Sequence, residues 1–102
     1  VHNGIIEFRL KIDGPGGSNG SLRLMIMSDQ VKQPGNNWCD TFFFHTTKIT
    51  GYGFDDYALD TTVWRTYKAE YNATNKHATL YYKDGANWTL IGESDNSDYG
   101  GS

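Results

Sequence analysis

The sequence predicts an all-β chain: an antiparallel β-sandwich of jelly-roll type, expected to be incomplete on its own. Three observations carry that reading. Apolar and polar residues alternate with a period of two in several short runs, the mark of strands with one covered face. Turn signals recur about every ten residues, the spacing of sandwiches and barrels. Aromatic residues make up 15% of the chain and glycines number 12, while good helix formers are sparse.

The elements follow in order. Ile5 to Ile12 alternates cleanly, with Ile6, Phe8, Leu10 and Ile12 on one face and Glu7, Arg9 and Lys11 on the other. DGPGGSNG, residues 13 to 20, is a loop. SLRLMIM is the second strand, and SDQVKQPGNNW is a polar connection broken at Pro34-Gly35. Thr41 to Ile49, aromatic and β-branched, predicts one third strand. TGYGFDDYALDTT reads as a long acidic connection. Val63 to Tyr71, His77 to Lys83 and Trp88 to Ser94 are the fourth to sixth strands. Their short connections, the last at Asp84-Gly85, predict a meander. The chain is read as a single domain over residues 1–102, with 95–102 as a loose tail.

Two stretches resemble the concanavalin-A-like, laminin-G-like jelly rolls. WRTYKAEY (Trp64 to Tyr71), a polar turn, then ATLYYKDG (Ala78 to Gly85) looks like their signature hairpin, and GIIEFRLKID resembles their early strand. The resemblance spans about two thirds of the chain and implies a sandwich with a glycan-recognition role. The chain departs from the family in being short. It also lacks the alternating acids, E-x-D-x-x-E, of the glucanase branch.

Charge and composition exclude several classes. Net charge is -3 and no basic cluster is concentrated, which argues against nucleic acid and an anionic membrane surface as partners. No apolar run is long enough for membrane insertion by a helix. There is no signal-peptide pattern, and a start at Val1 rather than Met suggests a processed, excised or incompletely traced chain. Cys39 is alone, so an intramolecular disulfide is impossible and a packed thiol is expected.

Catalytic signatures are missing. The acids Asp55, Asp56, Asp60, Glu7 and Glu70 form no evident acid/base pair, so the chain is expected not to be an enzyme. A glycoside hydrolase remnant is the third-ranked reading. His2, His45 and His77 lack metal-ligand spacing, and His45 is expected to be packed or hydrogen-bonded. No cofactor is required; calcium, if held, would sit on Asp55 and Asp56 or on Asp95 and Asp98.

Sugar sites combine an aromatic face with short polar groups. That combination occurs in the loop with Tyr52, Asp55, Asp56 and Tyr57, at Asn37 with Trp38, and at Asn87 with Trp88. Asn19, Asn72 and Asn87 head N-glycosylation sequons. The leading expectation is an extracellular or cell-surface module binding a glycan or glycoprotein. Two strands look apolar on both faces, through Met25 and Met27 in one and Phe43 in the other. They motivate the alternative, a structural subunit assembling into a homo-oligomer or filament across those residues or an open edge.

Overall fold

The structure, a computed structural model, describes residues 4–14, 21–27, 38–51, 53–72, 74 and 77–95. It is all-β. The strands are β1 (Gly4–Leu10), β2 (Leu22–Met27), β3 (Trp38–Phe44), β4 (Lys48–Gly51), β5 (Tyr57–Ala58), β6 (Arg65–Asn72), β7 (His77–Asp84) and β8 (Asn87–Asp95). They form two four-stranded antiparallel sheets, ordered β1-β6-β7-β8 and β2-β3-β4-β5. The sandwich class is therefore as the sequence predicts, and β6-β7-β8 is the expected meander.

The predicted third strand is two. The chain reverses at Thr46-Thr47, where the His45 amide donates to the Lys48 carbonyl at 2.9 Å, and β4 folds back on β3 with Phe44 opposite Ile49. Uninterrupted β-propensity hid this turn, because threonine suits both a strand and a bend. The acidic connection likewise contains β5, paired with β4.

The core lies between the sheets. Tyr67, Ala69, Ala78, Leu80 and Ile91 point inward from the first sheet, and Phe42, Phe44 and Ile49 from the second. Phe44 meets Tyr67 edge-on at 5.2 Å and Phe8 at 6.4 Å between ring centres, so one ring spans both layers. Thr61 ties the layers at one end: its hydroxyl donates to the His45 carbonyl, and its own carbonyl accepts from the Ile12 amide at 2.9 Å. Phe43 is only 9% exposed, so the chain itself covers that ring.

Each sheet carries an irregularity. Between β7 and β8 the register passes from Leu80↔Gly92 to Tyr81↔Leu90, leaving Ile91 as an extra residue. Such a bulge swaps the faces of everything beyond it. Strict alternation would place Trp88 and Leu90 inward with Gly92 and Ser94. Instead Ile91 and Gly92 are both buried, while Leu90 is 54% exposed on the outer face.

The Tyr67 hydroxyl is buried with no hydrogen-bond partner among the described residues. Burial pushes its pKa up to about 12 from 10.0, the Arg65 charge acting in the opposite direction. An unpaired buried hydroxyl costs stability, so Tyr67→Phe is expected to stabilise by about 1 kcal/mol. The pH signature has a definite sign. Above pH 10 the unfolded chain's tyrosine ionises while the native one holds its proton. Stability is thus complete below pH 10 and is lost as pH rises toward about 12. Urea titrations at neutral and alkaline pH check this, with Tyr67→Phe expected to lose less across that window.

Candidate functional site

The outer face of the β1-β6-β7-β8 sheet gathers the polar and aromatic residues of four strands into aligned rows. Register places Glu7, Lys68, Tyr81 and Leu90 across one row, and Ile5, Glu70, Thr79 and Glu93 across the next. Asn72 and His77 begin a third. Each reaches this face through strict alternation, with Trp88 and Leu90 delivered by the β8 bulge.

In the first row Lys68 organises the aromatics. Its Nζ lies 4.7 Å from the ring centre of Tyr81 and 4.7 Å from that of Trp88, whose ring Lys83 also approaches at 5.7 Å. Contacts of this kind add about 0.5–1 kcal/mol each at exposed sites. They hold the rings in place. Lys68 also pairs with Glu70 at 3.5 Å. The Tyr81 hydroxyl donates to Glu70 Oε1 at 3.4 Å. Burial, and then the Glu70 charge, raise the Tyr81 pKa and so keep that donor protonated. Further along, Trp64 is 61% exposed with Arg9 set 5.3 Å from its ring centre.

Beside this platform the second and third rows enclose an open depression of about 330 Å³. Its walls include Ile5, Glu70, Tyr71, His77, Thr79 and Glu93, with Asn72 at one end. His77 Nδ1 lies 3.4 Å from Glu93 Oε1. Carboxylates can accept from ligand hydroxyls, Thr79, His77 and Asn72 can exchange hydrogen bonds in either direction, and Ile5 with Tyr71 offers apolar surface. On the other side of β1 lies a smaller apolar hollow of about 210 Å³, bounded by Gly4, Ile5, Ile6, Ala69 and Tyr71.

Those residues singled out in the sequence that are described do not gather in one place. Tyr57 sits opposite Ile49 and turns into the sandwich, its hydroxyl 3.5 Å from that of Tyr82. That bond, ahead of burial, raises its pKa. Phe54 packs on Phe42 at 5.9 Å, and Asp56 pairs with Lys48 at 3.2 Å, leaving Asp55 exposed. The loop is thus partly a core plug. Of the two proposed aromatics whose side chains are described, Tyr57 and Trp88, it is Trp88 that stands on the candidate face. Asn72 and Asn87 are exposed, and Asn72 Oδ1 accepts from the Thr74 amide at 2.8 Å. His45 is hydrogen-bonded as expected, Nε2 lying 3.3 Å from the Thr50 hydroxyl. Asn19, Asn37, Tyr52 and Asp98 lie outside the described residues, as do the side chains of Met25, Met27, Trp38, Cys39 and Asp95. Among the described residues no three His, Cys, Asp or Glu groups converge as a metal site would need.

In the sequence Glu70 stands among acids with no evident partner and His77 among histidines without metal-ligand spacing, while nothing marks Thr79 or Glu93. Their period-two spacing along each strand was visible. Their convergence depends on register between strands, which the β8 bulge alters. Comparison with protein-family models, curated proteins and solved structures finds no match for this chain.

Proposed function

We propose that the chain is a non-catalytic recognition module for carbohydrate, of the laminin-G-like jelly-roll kind, acting outside the cell or at its surface. The observation that carries this reading is the polar depression beside the Tyr81–Trp88 platform. A pyranose needs an apolar ring face against aromatic surface and hydrogen-bonding groups around its rim, and this face supplies both. Hydrolysis would need one carboxyl shielded so as to stay protonated. Glu70 and Glu93 instead lie partly exposed, with side chains 37% and 55% accessible, beside Lys68 and His77, an arrangement suited to holding hydroxyls. No cofactor is required.

A glycan array followed by titration calorimetry tests the proposal. Trp88→Ala and Glu93→Ala are each expected to weaken the best array ligand by about tenfold, a lost stacking surface or charged hydrogen bond. A folded protein that binds nothing on the array sinks the reading, and undiminished binding by both variants removes this face from it.

A second reading, a self-assembling structural subunit, is favoured by the edge strand β1. Ile5 is 68% exposed on its outer face and Ile6 is 55% exposed on its inner face.

A further inference from the structure

We infer that β1 is the seat of a closed two-fold dimer, pairing antiparallel with β1 of a second copy about Phe8. The inference rests on the second reading above, that the chain self-associates, and gives it a defined surface and register.

Four strands border the two sheets: β1 and β8 in one, β2 and β5 in the other. β5 has two residues, too few for a ladder. β8 carries a bulge at Ile91, and the ladder behind β2 is broken by the extra residue Thr41 of β3, which bends that edge too. β1 differs. It is seven residues long, its ladder with β6 is unbroken from Gly4 to Leu10, and its other side pairs with no strand among the described residues. It also exposes large apolar side chains on both faces, Ile5 outward and Ile6 inward, which a solvent-facing edge strand normally avoids.

Charge decides the occupant. A two-fold axis normal to the sheet keeps outer faces together, so it must pass through one residue pair. Centring on Glu7 sets Glu7 against Glu7 of the partner subunit, and centring on Arg9 sets Arg9 against Arg9 of the partner subunit. Like charges directly opposite destabilise a sheet. Centring on Ile6 forfeits every charge pair, with an overlap no longer than the Phe8 register gives. Centring on Phe8 places Glu7 opposite Arg9 of the partner subunit, and Arg9 opposite Glu7 of the partner subunit. On the inner face it places Ile6 opposite Leu10 of the partner subunit, beside the 210 Å³ apolar hollow. β1 is therefore complementary to itself in one register, and the two sheets would run on as one of eight strands.

The same register reaches the depression. Just past β1, Lys11 of the partner subunit falls opposite Ile5, in the row that holds Glu70, Thr79 and Glu93. The second copy thus adds a cation to the lip of a hollow whose walls carry two carboxylates.

Sedimentation equilibrium with charge exchange tests the interface. The wild-type chain is expected to be a dimer at about 100 µM. Glu7→Arg and Arg9→Glu, each creating two like-charge contacts, are expected to weaken it by about tenfold or more, and the double exchange to restore it. A wild-type monomer overturns both this inference and the reading beneath it. Self-association unmoved by either exchange overturns the β1 interface alone. Should a charge variant fold poorly by circular dichroism, register is read by cysteines in a Cys39→Ser background. Glu7→Cys with Arg9→Cys is expected to oxidise to a covalent dimer, since opposed strand residues meet disulfide geometry. Failure of that pair to cross-link, or a covalent dimer from Glu7→Cys alone, overturns the register.

Discussion

Phe44→Ala is expected to cost about 4 kcal/mol, a large share of the stability of a domain this size. The magnitude follows from position rather than from ring size alone. Phe44 is fully buried and touches Phe8 and Tyr67 of the opposite sheet edge-on, so its removal opens a cavity that neither sheet can close by itself. A strand anchored in its own ladder cannot sink into the space a neighbouring layer has vacated. Urea titration reads the effect as a fall in midpoint with an unchanged slope. A loss below about 1.5 kcal/mol would mean that the two layers relax together and that the ring does not bridge them.

Gly92→Ala is expected to cost about 2–3 kcal/mol although it adds a single methyl group. A Cβ at Gly92 would lie 2.3 to 2.7 Å from three ring atoms of Phe54. The nearest include Cγ, the root of the ring, so rotation about the side chain gives little relief. Phe54 is in turn held against Phe42. The two positions should therefore couple: in a Phe54→Ala background the Gly92→Ala cost is expected to fall by about 1–2 kcal/mol. Independent, additive costs would show that the clash is relieved elsewhere.

Gly92 also marks where the sequence stopped being legible. The meander was readable because β6, β7 and β8 alternate and because Asp84-Gly85 is a hairpin signal; Gly85 does adopt φ of 64°. The faces of Trp88 and Leu90 were not readable, since they follow from one unpaired residue, Ile91. A glycine inside a strand is a known companion of bulges, and Gly92 was that signal. Thr46-Thr47 was hidden for the opposite reason, its residues being at home in the strand they interrupt. The candidate face was half legible. Each strand announces its polar positions, but only pairing brings Glu70, Thr79 and Glu93 into one row. The loop with Asp55 and Tyr57 misled because local composition cannot distinguish an aromatic offered to solvent from one plugging a core.

The order β1-β6-β7-β8 has a consequence for how the molecule comes together. β6, β7 and β8 are joined by short turns and can assemble from local encounters. β1 must find β6 across more than fifty intervening positions, which include every strand of the other sheet. That ring closure carries an entropic cost repaid only once the rings of both layers meet. The second sheet is thus inserted whole between β1 and β6, and the first sheet cannot close around it until both are in place, so the two layers are bound to form and melt as a single cooperative unit.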